Sequence, residues 1–297
     1  MKILKKGKQR PKQGGGYGKK ALSFWLVVAA LLFVPLAVFA EEEGGEAHYP
    51  LKVPEKQSWS FSGPFGTYDL QQLQRGLKVY KEVCSTCHSL KYVSFRDLKA
   101  LGYSEEQIKA FAKTYDIQDG PNSEGEMFVR KGLPTDYFPS PFPNVEAAKF
   151  ANNGANPADL SLMAKARAVS LPFPAFIADI FTNYNEAGPD YITALLTGYS
   201  EPPEGAELAE NNWYNPYFNS GNALAMPPPL SDGMVTYNDG TEETTENYAR
   251  DVSAFLMWTA DPHMETRKKT GFRVILFLIV FAGLTYAVKR RIWNELD

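Results

Sequence analysis

The chain has 297 residues, of which 44% are hydrophobic and 13% aromatic, a composition that supports a packed core and excludes a chain that is disordered throughout. Residues 1–40 contain eight Lys or Arg and no acidic residue, whereas the remainder contains 23 basic and 34 acidic residues. This acidic excess argues against a nucleic-acid partner and favours a basic protein partner.

The N-terminus resembles an export signal. A basic head precedes an apolar run from Ala21 to Phe39, and Ala40 follows at the position of a cleavage site. The pattern predicts a secretory signal peptide over residues 1–40, with an uncleaved anchor as the alternative because the run is long. A mitochondrial transit peptide would be rich in Arg and Ser, and this head has one Arg, so bacterial export is expected.

A second apolar run lies near the C-terminus. It covers Gly271 to Val288 and contains a single charge, Arg273, at the end where a long side chain can reach the headgroups. We expect a single transmembrane helix in the bacterial inner membrane, with the bulk of the chain in the periplasm. The predicted order is a signal peptide over 1–40, an exported domain over 41–262, an anchor over 263–290 and a cytoplasmic tail over 291–297.

The exported domain is predicted to be mainly α, with short helices between long Pro- and Gly-rich connections. The prolines and early glycines of residues 41–66 predict an extended arm that lies over the domain. The next helix is expected to begin at Thr67 or Asp69 as its N-cap. Gly76 lies inside it and favours close approach by another helix. The apolar face of this helix recurs at steps of three and four residues: Leu70, Leu73, Leu77, Tyr80, Cys84 and Cys87.

The partner of this helix is predicted in "TTENYARDVSAFLMWTA", which begins at Thr244 or Thr245 and stops before Pro262. Its buried side is expected to contain Tyr248, Val252, Phe255 and Thr259. Between the two helices, "SEEQIKAFAKTY", "PADLSLMAKARA" and "PDYITALLTGY" are helical by pattern. The connection over 198–233 is longer than structureless loops usually are, which indicates that it wraps a ligand or carries function.

The segment "CSTCH" contains the only two cysteines of the chain, Cys84 and Cys87, followed at once by His88. A dithiol redox motif would require a neighbouring βαβ pattern, which the sequence lacks. A zinc site would require further close ligands, and only His48 and His263 remain among the histidines. The third interpretation, covalent attachment of one haem, accounts for all three residues.

Covalent haem attachment places each residue of the motif in a role. Thiols three residues apart reach two vinyl groups along one porphyrin edge, and His88 binds the iron from one side. Haem attachment of this kind belongs outside the cytoplasm, so the predicted export agrees with it. Because both thiols are consumed, no disulfide can brace the fold, and we expect that the domain does not fold without its haem.

The other side of the iron is predicted to bind Met226. The segment "NALAMPPPL" places this thioether before three prolines that stiffen the loop. A Met and His pair raises the reduction potential and leaves no open position for oxygen chemistry, so electron transfer is the expected activity. The remaining His and Met side chains are expected on the surface, in the core or without a rigid frame: His48, His263, Met127, Met163, Met234, Met257 and Met264.

Five segments together resemble the cytochrome c1 family, the haem subunits of cytochrome bc1 complexes. They are "GPFGTYDLQQLQRGLKVYKEVCSTCHSLKYVSFRDL", "ANNGANPADLSLMAKAR", "DYITALLTGYSEPPEG", "NPYFNSGNALAMPPPL" and "FLMWTADPHMETRKKTGF". The resemblance covers most of residues 60–290, and the ordered set is far more specific than C-x-x-C-H alone.

The resemblance implies a cytochrome-c-like haem domain with long loop insertions and one C-terminal transmembrane helix. It implies one covalent haem c on Cys84 and Cys87, with His88 and Met226 as axial ligands. Arg167 and Tyr191 resemble the residues that contact the haem propionates. Their other interpretations are a solvated charge and a packed ring, and the apparent insertion over 168–189 lies between them.

The resemblance also implies partners. The family's subunit accepts an electron from the Rieske iron–sulfur protein and passes it to a cytochrome c, beside cytochrome b, and performs no bond chemistry itself. Acidic clusters on both sides of the Met226 loop are either solvated surface or a docking surface for a basic cytochrome c. Two other functions remain open: an independent membrane-tethered monohaem cytochrome or oxidase subunit, and an exported thiol or metal protein without haem.

Overall fold

The structure is a computed structural model that describes residues 51–167, 187–206 and 208–294. The predicted signal peptide, His48 and most of the predicted insertion lie outside these residues. In chain order the elements are α1 (Leu70–Glu82), a 3-10 turn (Cys84–Thr86), a 3-10 helix (Phe95–Leu101), α2 (Glu105–Ala112), β1 (Asp116–Asp119), β2 (Phe128–Lys131), α3 (Val145–Ala151), α4 (Met163–Ala166), α5 (Ala187–Thr197), β3 (Trp213–Tyr214), β4 (Ala223–Leu224), α6 (Thr245–Ala260) and α7 (Met264–Asn294). The described part is mainly α, as the sequence predicts.

Helix α1 begins where its N-cap was predicted and ends earlier than expected. The Asp69 side chain accepts hydrogen bonds from the backbone N–H groups of Gln71 and Gln72, which satisfies two of the free donors of the first turn. The helix ends at Glu82, because the chain then tightens into the 3-10 turn. The prediction that both cysteines lie on the buried helical face was therefore wrong; both follow the helix and are half-buried.

Helices α1 and α6 cross at Gly76, as predicted. A β-carbon on Gly76 would meet the backbone oxygen of Asp251 and lie 2.6 Å from the β-carbon of Phe255. Beside this crossing, Arg75 donates to both the Asp251 and Asp239 carboxylates, each at 2.7 Å. Only glycine permits this approach. Helix α6 begins after its N-cap Thr244 and buries the four residues predicted for its inner side: Tyr248, Val252, Phe255 and Thr259.

Two short antiparallel ribbons were not predicted. Strand β1 pairs with β2 from Asp116 opposite Lys131 to Asp119 opposite Phe128, and Arg130 joins the carboxylates of Asp119 and Asp136. The second ribbon pairs β3 with β4 and closes the loop 215–222 between them. Both ribbons are too short to show the alternation by which strands are recognised, with four residues in each strand of the first and two in each strand of the second.

The extended arm is confirmed for its described part, residues 51–66. The indole of Trp59 donates to the Asp190 carboxylate at 2.7 Å, and the backbone N–H of Gln57 donates to the same oxygen at 3.1 Å. Trp59 and Phe61 are buried in the main core. The arm therefore packs against α5 and contributes to the core.

Helix α7 is 31 residues long, or about 46 Å at about 1.5 Å per residue, which exceeds the apolar thickness of a bilayer. Among the described residues it is the one helix long and apolar enough to cross a membrane. Just before it, the Asp261 carboxylate accepts from Lys165 at 2.7 Å and from Arg267 at 2.6 Å. This carboxylate joins α4 to the first turn of α7.

Candidate functional site

The "CSTCH" segment forms one tight turn directly after α1. The backbone N–H groups of Cys87 and His88 both donate to the carbonyl of Cys84, at 3.2 and 2.8 Å. The hydroxyl of Ser85 donates back to the carbonyl of Lys81 at 2.7 Å, which ties the turn to the last turn of α1. The turn therefore brings two thiols and an imidazole together within five residues.

The two cysteines are not joined by a disulfide. Burial, and to a lesser degree the neighbouring Cys87, raises the pKa of the Cys84 thiol to about 12. A redox dithiol needs a lowered pKa, so Cys84 is unsuited to that chemistry. Across the described ranges, no three His, Cys, Asp or Glu side chains gather as they would around a metal ion. Neither alternative to haem attachment gains support from this geometry.

The ring of His88 is oriented by a backbone carbonyl on a distant loop. Its Nδ1 lies 2.7 Å from the oxygen of Ala158. Because a carbonyl can only accept, Nδ1 carries the proton and Nε2 keeps its lone pair. Burial lowers the pKa of His88, against the opposing effects of the Ala158 hydrogen bond and of Asp159, and so favours the neutral ring. This is the form in which histidine binds a metal.

The carbonyl of Ala158 is held in place by its neighbour Asp159. One carboxylate oxygen of Asp159 accepts from the Ser89 hydroxyl at 2.8 Å and from the Lys91 backbone N–H at 2.9 Å. The other accepts from the backbone N–H of Ser161 at 3.0 Å. Leu160 also donates to the carbonyl of Ser89 at 2.9 Å. The loop is thus clamped to the residues that follow His88.

Met226 lies in the loop after β4, and the hydroxyl of Tyr199 donates to its carbonyl at 3.0 Å. Its side chain is half-buried. The rest of the candidates are less suitable: Met257 and Met264 are fully buried in the core, Met127, Met234 and His263 are exposed, and Met163 packs against the core. Among the described candidates, Met226 alone combines partial exposure with a fixed loop.

Arg167 and Tyr191 are brought to one place by a third residue. The guanidinium of Arg167 donates to the side-chain oxygen of Asn219 at 3.3 Å, and the hydroxyl of Tyr191 meets the backbone N–H of Asn219. Tyr191 is 3% exposed, and burial raises its pKa, while the Asn219 N–H and Arg167 lower it. A cation, a phenol and an amide at one point suit an anionic group such as a carboxylate.

Sequence reasoning missed the residues that support these side chains. Ala158 acts through its carbonyl and has no side-chain signature. Asn219 acts through both its N–H and its side-chain oxygen, and its residue type does not indicate that it meets Arg167 and Tyr191. The segment "NSGN" over 219–222 does carry a signal, because Asn and Gly are typical of left-handed turns, and Gly221 and Asn222 have φ values of 112° and 61°. This pattern predicts a tight turn, but it does not predict which other residues of the chain the turn contacts.

The donor set fits a c-type haem. It provides two adjacent thiols, a neutral imidazole with a free Nε2, a thioether and a cluster suited to carboxylates. Together with the long apolar C-terminal helix, it places the chain in the class of membrane-anchored c-type cytochromes.

Comparison with known proteins identifies the family. The model of the cytochrome C1 family matches residues 59–296. Proteins named cytochrome c1 from Blastochloris viridis and Rhodospirillum rubrum are 43% and 42% identical, over 92% and 91% of this chain and 94% and 96% of their own lengths. A protein named cytochrome b/c1 from Bradyrhizobium diazoefficiens is 52% identical over 95% of this chain, which spans 41% of that relative's length. The chain belongs to the cytochrome c1 family, and its haem-domain fold and electron-transport role follow from that membership.

The clamp at Asp159 predicts a dependence of stability on pH. Burial opposes the charged form, but hydrogen bonds from Lys91, Ser161 and Ser89 hold the pKa of Asp159 below its usual value. A depressed pKa contributes stability above the pKa of an unfolded Asp, about 3.9, that is lost as the pH falls through the folded value. We expect Asp159→Asn to lower the free energy of unfolding by about 1–3 kcal/mol near neutral pH.

Urea unfolding of the holoprotein at several pH values measures this effect. The difference between wild type and Asp159→Asn should begin to shrink below about pH 3.9, where the unfolded carboxyl takes up a proton, and should be lost as the pH falls through the lower folded pKa of Asp159. Asp116→Asn, at an exposed pair with Lys131, is the control and should change stability by less than about 0.5 kcal/mol. A difference for Asp159→Asn that is independent of pH would contradict the assignment.

Proposed function

We propose that this chain transfers single electrons through one haem attached covalently to Cys84 and Cys87. The observation that carries the proposal is the "CSTCH" turn, in which His88 is held by the Ala158 carbonyl with Nε2 free. Nε2 of His88 would bind the iron, which supplies one-electron oxidation and reduction when the haem is present. Because Nδ1–H donates to a carbonyl, the ring cannot rotate freely and remains a strong ligand.

Met226 would bind the iron from the other side. The hydroxyl of Tyr199 holds the Met226 carbonyl, and the prolines at 227–229 restrict the backbone that follows. A thioether presented from a stiff loop favours the reduced iron and excludes external ligands. These two residues would therefore set a high potential and reserve the iron for electron transfer.

Arg167 and Tyr191 would bind the haem propionates. They contact the same residue, Asn219, although Arg167 follows α4 and Tyr191 lies in α5. The guanidinium neutralises a carboxylate and the phenol donates to it, so both hold the cofactor by its polar edge. The propionates would thus be fixed by two helices and one loop.

The proposed electron route runs from a Rieske iron–sulfur protein, through this haem, to a cytochrome c. Family membership supports this route, and the cytochrome b/c1 name of the Bradyrhizobium relative supports cytochrome b as a neighbour. The chain would be exported by a signal peptide over 1–40. Helix α7 would cross the bacterial inner membrane once, with the haem domain over 41–262 in the periplasm and the C-terminal tail in the cytoplasm.

The acidic residues near the Met226 loop would form the docking surface for a basic cytochrome c. Asp239 and Glu243 are used within the fold, since Asp239 pairs with Arg75 and Glu243 accepts from the N–H of Tyr237. Glu207 lies outside the described residues. Those that remain exposed are Glu201, Glu204, Glu210, Glu242 and Glu246. Exposed carboxylates of one sign attract a basic partner over long range and speed its encounter.

Replacing both thiols tests the covalent attachment. Cys84→Ala combined with Cys87→Ala should remove all haem staining from a denaturing gel, because no thioether can form. The intact mass of the wild-type chain should exceed that of its amino acids by one haem. Ser85→Ala changes the same turn without removing a thiol and should stay stained. An unstained wild-type band from cells competent in cytochrome maturation would disprove the attachment.

Replacing the proposed thioether tests the axial ligand. In Met226→Leu the reduction potential should fall by on the order of 0.1 V, within the range of about 0.8 V that axial ligands span. The iron should also begin to bind external ligands such as carbon monoxide. Met234→Leu, at a side chain that is 51% exposed, is the matched control and should leave both properties unchanged. Equal potentials for wild type and Met226→Leu would eliminate Met226 as the ligand.

Neutralising the acidic surface tests the docking. A triple variant of Glu201, Glu204 and Glu242 to Gln should slow association with a basic cytochrome c about three- to tenfold at low salt, and less at high salt. Stopped-flow oxidation of the reduced protein measures this rate. A variant of Glu124 and Glu126 to Gln, which removes two exposed charges in the β1–β2 connection, is the control and should leave the rate nearly unchanged. A wild-type rate that does not respond to ionic strength would rule out this surface.

A further inference from the structure

His88 is held by its backbone as well as by its ring. Its backbone N–H donates to the carbonyl of Cys84 at 2.8 Å, and its Nδ1 lies 2.7 Å from the carbonyl oxygen of Ala158. Its own carbonyl accepts a hydrogen bond from the hydroxyl of Tyr80 at 3.0 Å. Three of its polar groups thus have partners, and within the described part of the chain Nε2 is the one that makes no hydrogen bond.

Tyr80 is itself fixed by the crossing of α1 and α6. It lies four residues after Gly76, on the same face of α1, and is 1% exposed. The centroid of its ring lies 5.9 Å from that of Phe255 in α6 and 5.9 Å from that of Phe138. Because the ring is packed against two other aromatic rings, its hydroxyl has little freedom to leave the carbonyl of His88.

The hydroxyl of Tyr80 is not needed to fill the core. A phenylalanine would occupy the same space against Phe138 and Phe255 and would bring no polar group into it. Burial raises the pKa of Tyr80, so the phenol keeps its proton and can donate to a carbonyl. The hydrogen bond to His88 therefore connects the helix crossing to the residue proposed to bind the iron.

We propose that Tyr80 is a positioning residue, which holds the backbone of His88 where Nε2 can bind the haem iron. The inference rests on the proposed role of His88 as an axial ligand. The contact with Ala158 opposes rotation of the ring, whereas the hydrogen bond from Tyr80 opposes displacement of the backbone that carries it. Such a displacement would leave a buried hydroxyl without a partner. Tyr80 would therefore stabilise the bond between His88 and the iron.

Nitric oxide provides a measurement of that bond. Nitric oxide bound to ferrous haem weakens the bond to the ligand on the opposite face, and loss of that ligand changes the electron paramagnetic resonance spectrum from a six-coordinate to a five-coordinate type. The starting protein is the full-length holoprotein with Met226→Leu, because this change opens the face opposite His88. The ratio of five- to six-coordinate haem then reports how readily His88 leaves the iron.

Tyr80→Phe in this starting protein tests the proposal, because it removes the hydroxyl and keeps the ring. The ratio should rise about two- to tenfold, the range expected for one hydrogen bond. Tyr248→Phe is the matched control. Tyr248 is also fully buried, and its hydroxyl donates to the carbonyl of Val235 at 2.6 Å rather than to a residue of the "CSTCH" turn. This control should lower the stability of the fold and leave the ratio unchanged.

A second variant keeps the hydroxyl and changes its strength as a donor. Replacing Tyr80 with 3-fluorotyrosine makes the phenol more acidic, so the ratio should fall below that of the starting protein. This variant decides alone if Tyr80→Phe does not accumulate with haem. A ratio that neither change at Tyr80 alters would overturn the positioning role and leave the electron-transfer function standing. An equal rise in Tyr248→Phe would also overturn that role, because the ratio would then follow stability. Absence of covalent haem from the wild-type chain would overturn both the function and this inference.

Discussion

The site depends on the close approach of α1 and α6 at Gly76. There the backbone oxygen of Asp251 occupies the space that any side chain at residue 76 would need. The residue before Gly76, Arg75, pairs with the side-chain carboxylate of the same Asp251. Because packed helices shift little against one another, this crossing fixes the direction of α1. The last turn of α1 leads directly into the "CSTCH" turn, so the positions of the thiols and His88 follow from the crossing.

Several residues of the proposed haem site belong to loops, and each loop is restrained by a contact between residues distant in sequence. His88 meets Ala158 across 70 residues, Tyr199 meets Met226 across 27, and Arg167 meets Asn219 across 52. Long connections are inexpensive in entropy when their ends are held, since closure entropy grows only slowly with length. The many prolines and loop hydrogen bonds reduce that loss further.

Local features of the sequence predicted much of the fold. The caps at Asp69 and Thr244 and the apolar α7 depend on neighbouring residues, so the local pattern indicated them. The crossing was indicated because Gly76 is an unfavourable residue inside a helix unless another helix approaches it closely. Long-range features were not accessible in this way. Arg167 and Tyr191 were singled out only by family resemblance, because no spacing rule joins two residues that meet through Asn219. The spacing of apolar residues predicted that α1 continues through Cys87, because periodicity alone does not show where a helix ends and tightens into a 3-10 turn.

One carboxylate links the site to the membrane helix. Asp261 accepts from Lys165, two residues before Arg167, and from Arg267 in the first turn of α7. Burial opposes its charge, but these two donors hold the pKa of Asp261 below the usual range, so the pairs persist at neutral pH. Lys268 adds a hydrogen bond to the carbonyl of Phe61 at 2.6 Å. The start of α7 is thus continuous with the haem domain's core. A domain joined so firmly to its anchor would hold its redox group at a fixed height above the membrane, and electron exchange would then depend on partners that approach a stationary site.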